Sequence, residues 1–248
     1  MQMNFEQLAK STLRIACGNE SGSGFHFIDE KTIITNYHVI ENHITNHAPV
    51  IAFTECKTEI NLKLIAHSDK KSYDFAIFEA VTPIPVGRTV LMPKISDSVD
   101  RGTEICFAGF PHGIDDLLVH KAYVSGPYNS VGFYIDGSVN GGNSGGPIID
   151  MFDGKVIGIV TQRRFLGGHA LDNISNRAED LSKYCQSLNK GSVSIMGIDF
   201  RQFAGVMAES FVISSKIVTA NSNVGIGIGF HIKFVEDEIK KIKWCNGA

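Results

Sequence analysis

The stretch from Asn140 to Asp150 reads NGGNSGGPIID and places a glycine pair before and after one serine, Ser144. Amide hydrolysis by a serine needs a hydroxyl held in the open and backbone N–H groups aimed at the developing oxyanion. Glycines around the serine let the backbone take the required turn and let a substrate approach without a side-chain clash. In this reading Ser144 is the nucleophile and the N–H groups of Gly142 and Ser144 form an oxyanion hole. The same letters also spell a glycine-rich hairpin loop, and the segment alone admits both. It is not a phosphate-cradling loop, because no Lys-Ser/Thr pair follows the glycines.

Working outward, a serine at its free pKa is a weak nucleophile and needs a neighbouring base. The segment TIITNYHVIEN (Thr32–Asn42) supplies His38 where a β-rich run ends. A base of this kind needs a buried carboxylate to fix its tautomer. The segment KSYDFAIFEA (Lys71–Ala80) supplies Asp74, just before an alternating apolar strand. Taken alone, an Asp beside a core strand reads as a strand-edge turn residue.

Around these segments, short runs rich in Val, Ile, Phe and Thr recur between Gly, Pro, Asn and Asp: Thr12–Ala16, Gly24–Ile28, Thr32–Asn36, Val50–Thr54, Phe75–Glu79, Glu104–Gly109, Gly132–Ile135, Val156–Val160 and Gly225–Ile232. Such runs read as strands of barrels or sandwiches. Val81–Gly102, with three prolines, reads as the connector between two β-rich halves. Apolar spacing of three and four predicts helices over about 172–189, 200–209 and 234–244. No internal sequence repeat is visible.

Together the segments resemble the trypsin-like serine proteases, and most closely their HtrA/Deg branch. The resemblance rests on SGSGFHF (Ser21–Phe27), TNYHV (Thr35–Val39), YDFAIF (Tyr73–Phe78), GNSGGP (Gly142–Pro147), KVIGIV (Lys155–Val160) and GIGFHI (Gly227–Ile232), with His, Asp and Ser in family order. It covers roughly 10–162 and 222–245. It implies an all-β fold of two antiparallel six-stranded β-barrels, with a helical insertion in the second half and a C-terminal helix. The implied layout is one protease domain over 1–248. Its first barrel is expected over about 8–92 and its second over about 98–235, with the insertion at about 163–221. It also implies a serine endopeptidase with His38, Asp74 and Ser144 as triad and a protein or peptide as substrate. The floor of the specificity pocket would lie near Ser138, Thr161 and Gln162 would pair with substrate backbone, and Gly229 and His231 would line the opposite wall. A neutral Ser138 implies no preference for basic residues.

Two departures follow from the resemblance. Asn143 stands before the nucleophile where secreted relatives carry an Asp that pairs with a newly cut N-terminus, so activation by N-terminal cleavage is not expected. Some sixty residues, Arg163–Asn221, replace a much shorter loop of HtrA relatives. They read as a packed surface elaboration or as a lid or docking element for a regulatory protein partner. The competing functions are a binding protein that retains a protease fold and an esterase using the same triad.

Composition narrows the classes further. The 248 residues are 43% hydrophobic and 20% charged with a formal net charge of −3, and neither sign forms a long run. This allows a sizeable core and gives no footprint for nucleic acid or a membrane surface. The N-terminal MQMNFEQLAKSTLRIACG lacks the uninterrupted apolar stretch of a signal peptide. Five scattered cysteines (Cys17, Cys56, Cys106, Cys185, Cys245) read as free thiols in a reducing, cytoplasmic setting, with Cys17, Cys56 and Cys106 filling core. The spacing of His38, His43 and His47 matches no zinc motif, so neither metal nor other cofactor is expected.

Overall fold

A computed structural model describes residues 5–69, 71–94, 99–165, 168–188, 194–195, 197–221 and 223–246. A short helix α1 (Phe5–Ser11) leads into β1 (Thr12–Cys17), β2 (Glu20–His26) and β3 (Thr32–Thr35). After α2 (Glu41–Asn46) come β4 (Val50–Phe53), β5 (Glu59–Ser68) and β6 (Phe75–Ala80). These six strands close into an antiparallel barrel in the order β1-β2-β3-β6-β5-β4.

The next strands are β7 (Glu104–Gly109), β8 (Leu118–Tyr128), β9 (Gly132–Asp136), β10 (Pro147–Asp150) and β11 (Val156–Phe165). Helix α3 (Gly168–Ser187), the two-stranded β12 (Ser194–Ile195) and β13 (Ile198–Asp199), and helix α4 (Phe200–Asn221) separate β11 from β14 (Asn223–His231). The chain then enters α5 (Lys233–Asn246). The second barrel closes in the order β10-β11-β14-β9-β8-β7. Read from β7, this is first, second, third, sixth, fifth, fourth, the order of the first barrel. A repeat that the side chains do not show is thus present in the topology.

Alternation along the strands builds three apolar layers, because successive side chains leave opposite faces. Ile33, Ala76 and Phe78 point into the first barrel with Leu13, Ile15 and Ile60. Their neighbours Ile34, Phe75 and Ile77 point outward and meet Cys106, Ala108, Ile149 and Ile159 of the second barrel. Ile105 and Phe107 fill the second barrel's interior with Phe133, Ile135 and Ile148. Val235 and Ile239 of α5 and Leu8 of α1 extend the layer between the barrels. The expected two-barrel fold is therefore the observed one, and both halves are fixed against each other by a shared core.

By contact, residues Met1–Arg164 and Gly225–Ala248 form one unit and Phe165–Val224 another. The second unit is the helical insertion, in which α3 and α4 lie along each other. Ser175 and Ser215 hydroxyls join them at 2.7 Å.

The sequence reading departs from the structure at several elements. Barrel strands β5, β8 and β10 are absent from it: β5 intersperses Lys, His and Asn on its outer face, β8 carries Gly126 and Pro127 beside an irregular register, and β10 is four residues long and follows directly on the glycine loop. Helix α4 runs to Asn221 rather than ending near 209. Cys17 and Cys106 are buried, but Cys56 is exposed on the turn after β4 and fills no core. The side chain of Cys245 lies outside the described residues. No helix among the described residues is long and apolar enough to cross a membrane.

Candidate active site

Asp74 lies in the tight turn ahead of β6, with a left-handed φ of 48°, a conformation Asp tolerates better than most residues. Its side chain is fully buried, so its carboxylate requires hydrogen-bond partners. Oδ1 accepts the backbone N–H of His38 at 3.0 Å. Oδ2 accepts the Nδ1–H of His38 at 2.7 Å and the Thr161 hydroxyl from β11. Asn36 donates to the Asp74 carbonyl at 2.7 Å, fixing the turn to the end of β3. The Asp74 contact leaves Nε2 of His38 as the basic nitrogen, and the ring is partly exposed on that site's open side.

Ser144 belongs to the turn between β9 and β10. Its Oγ donates to the Thr161 carbonyl at 3.2 Å, and its own carbonyl accepts the Ser23 N–H at 2.7 Å. Thr161 therefore bridges the two halves: its hydroxyl meets Asp74 and its carbonyl meets Ser144. No hydrogen bond joins Ser144 to His38 among the described residues.

The peptide units around Ser144 are anchored one by one. The Gly141 carbonyl accepts the His112 N–H at 2.7 Å, and the Asn143 carbonyl accepts the Gly146 N–H at 3.0 Å. A trans peptide points its C=O and N–H in opposite directions, and no cis bond occurs here. The Gly142 and Ser144 N–H groups are thereby turned away from those partners, and neither donates to a described acceptor. Gly142 has φ +94°, and a Cβ there would stand 2.2 Å from the Phe110 carbonyl. Ser23 fastens the loop from the first barrel, its hydroxyl donating to the Gly142 carbonyl at 2.7 Å and accepting the Phe110 N–H at 2.9 Å.

The trypsin-like peptidase domain profile matches residues 22–159, which hold all three of these side chains. The chain belongs to the trypsin-like peptidase family. Similar proteins include Protease Do-like 1, chloroplastic, of Arabidopsis thaliana, 30% identical over 162 residues, covering 57% of this chain and 33% of that one. A probable periplasmic serine endoprotease DegP-like of Rickettsia prowazekii is 30% identical over 171 residues, covering 64% and 30%. The chain thus spans about a third of the length of the curated relatives it matches. The serine endoprotease of Yersinia pestis has the same fold, with TM-score 0.54 and 21% identity over 66% of this chain and 59% of that one. Deg5 superposes with TM-score 0.52 and 25% identity over 63% and 81%.

Within this trypsin-like peptidase chain, the expected subsite residues lie in different places. The Gly137 N–H donates to the Gly225 carbonyl at 2.8 Å, which seats the exposed Ser138 beside the start of β14. A Cβ at Gly227 would meet Val139, the neighbour of Ser138, at 2.3 Å. Gly229 instead faces Ile148 and Phe133 of the second barrel's interior. His231 pairs beyond the far end of β9, where its ring lies 5.3 Å from that of Phe133 and burial lowers its pKa. Five residues past Ile226, the partner of Asp136, it stands roughly 16 Å along the strand from the Ser138 end. Gln162 continues β11 beyond Thr161, and its side chain lies outside the described residues.

Asn143 is fully buried next to Gly109, and neither atom of its amide has a partner among the described residues. His43 donates its Nδ1–H to the Ala48 carbonyl, 2.7 Å away, and His47 caps α2 with φ 57°. Among the described residues no three potential metal-binding side chains converge. The sequence reading missed Ser23, Asn36 and the Asp74 contact of Thr161. Ser23 and Asn36 sit inside the SGSGFHF and TNYHV segments, where a small polar residue within an apolar run was the available signal.

Proposed function

We propose that the chain is a serine endopeptidase acting through His38, Asp74 and Ser144. The observation that carries this reading is the contiguous series His38–Asp74–Thr161–Ser144, set beside two N–H groups with no acceptor among the described residues. Ser144 Oγ attacks the scissile carbonyl while Nε2 of His38 takes its proton. Asp74 holds the imidazole and stabilises its charged form. The Gly142 and Ser144 N–H groups receive the oxyanion. His38 then protonates the leaving amine, and water activated by the same imidazole hydrolyses the acyl-enzyme.

In the structure the Ser144 hydroxyl is given to Thr161 rather than to His38. Productive attack requires its hydrogen to turn from the Thr161 carbonyl to Nε2 of His38. This supports an enzyme whose hydroxyl is redirected by the molecule that enters its site. Ser138 gives the pocket a neutral floor, which supports selection against Lys and Arg. Thr161 and Gln162 lie on the strand offered to substrate backbone. Four unpaired cysteines, Cys17, Cys56, Cys106 and Cys185, support a reducing, cytoplasmic setting, although the relatives carry organellar and periplasmic names.

The test is digestion of an unstructured polypeptide by the purified chain, with fragments mapped by mass spectrometry beside Ser144→Ala. Cleavage by the wild type alone, after residues other than Lys and Arg, is the expected result. Hydrolysis of small esters with every polypeptide left intact would replace the endopeptidase reading with an esterase.

A further inference from the structure

The helical insertion fully buries only small residues among its described side chains, half-buries Met207 and Phe211, and leaves most of its other large apolar residues outside. Ser182 of α3 and Ala204 and Ala208 of α4 are its buried residues among the described side chains. Ile174, Leu181 and Tyr184 of α3, Leu188 just past its end, and Phe203, Val206, Ile213 and Ile217 of α4 are between 38% and 62% exposed. Small residues in the seam let the helix axes approach closely, so the larger apolar side chains remain outside it.

These exposed residues are ordered. On α4, Phe203, Val206, Ser210, Ile213 and Ile217 recur at steps of three and four, the spacing of a coiled-coil seam. Along α3 and into the turn that follows it, Ile174, Leu181 and Leu188 recur every seven residues, with Tyr184 between. At 100° per residue, both stripes of the antiparallel pair turn to the same broad side of the hairpin.

We infer that this face pairs with the same face of a second copy of the chain, α4 lying antiparallel to the partner's α4 about a two-fold axis. Two observations select a second copy. First, in the antiparallel register that interleaves such seams, Val206 meets the partner's Ile217 and Ser210 meets the partner's Ile213. Every apolar step then finds an apolar or small residue, and the contact is repeated by symmetry. Second, Glu209 and Lys216 flank the stripe on one side, seven residues apart, and no ion pair engages either among the described residues. The same register brings Glu209 beside the partner's Lys216 twice, once on each side of the axis. The eight exposed side chains offer on the order of 800 Å² per copy, the share each partner contributes to a standard-size interface.

The test is sedimentation equilibrium of the full chain in the micromolar range, with circular dichroism to check helix content. The wild type is expected to be dimeric, and Ile213→Asp monomeric. Lys216→Glu sets like charges opposite each other twice and is expected to weaken the dimer about tenfold. Adding Glu209→Lys to Lys216→Glu restores the opposite-charge pairs and is expected to return the dimer to wild-type strength. A monomeric wild type, or a dimer indifferent to the single charge reversal, would overturn the inference. So would a monomer that co-sediments with phosphatidylcholine vesicles, or one whose stripe residues protect against labelling by folding onto its own barrels.

Discussion

In the barrels, Phe25, Phe78, Phe107 and Phe133 are wholly buried, whereas in the helical hairpin Phe203, Val206 and Ile217 stand half exposed around a seam of Ala and Ser. The barrels close their apolar faces on themselves and on each other. They thereby hold His38, Asp74 and Ser144 through cross-connections between halves. The hairpin leaves its largest side chains for something outside it. Rigid closure suits a site whose hydrogen bonds must be held in register, and an open apolar face suits association.

Several measurements sharpen this contrast, beginning with the largest effect. Replacing Ser144 or His38 by Ala should lower kcat for peptide hydrolysis by about 10⁶-fold while leaving the fold intact, since the side chains act as a unit. Asp74→Asn should cost about 10⁴-fold by favouring the wrong imidazole tautomer. Gly142→Ala drives a Cβ into the Phe110 carbonyl and should cost 10²–10³-fold or more in kcat, by roughly the loss of one oxyanion donor. None of these four substitutions should move the oligomeric state. An equal loss of dimer and activity in them would erase the distinction between the two regions.

A smaller effect tests the closed core itself. His26 is fully buried, with Nδ1 on the Glu30 carbonyl at 2.7 Å and Nε2 without a partner among the described residues. Burial, then the nearby Arg88, lowers its pKa from 6.5 to about 4, against weaker opposition from the Glu30 carbonyl and Asp29. The unfolded chain therefore binds a proton more readily than the native one between these values. Stability present above pH 6.5 should fall by about 3 kcal/mol on acidification towards pH 4. Denaturant melts across that window check this, and His26→Gln should flatten the slope. The charge reversal at Lys216 is the smallest change, about tenfold in dimer affinity with no effect on the pH profile of stability.

Most of the framework could be read from side chains. His38, Asp74 and Ser144 were legible only together, as ordered segments that resemble the trypsin-like proteases, since the glycine loop and the aspartate each admit a plainer reading alone. The two barrels were legible because most of their strands are short runs rich in Val, Ile, Phe and Thr between turn residues. Less was legible where the signal is divided. In β5 and β8 polar outer faces mask the alternation, and the hydrogen bond from Thr161 to Asp74 joins residues 87 positions apart. His231 alternates with Gly229 along β14, but strand register decides that it stands at the far end from Ser138. The repeated strand order of the two barrels has no counterpart in the sequence because closure depends on pairing, which many sequences satisfy. In the insertion, apolar spacing announced helices but did not say that their larger residues face outward.

The most direct measurement is labelling of the purified chain with a fluorophosphonate, which reacts only with a serine activated by its base and beside a formed oxyanion hole. The account predicts covalent labelling of the wild type, mapped to Ser144, and none of Ser144→Ala or His38→Ala. A well-folded wild type that stays unlabelled would contradict it.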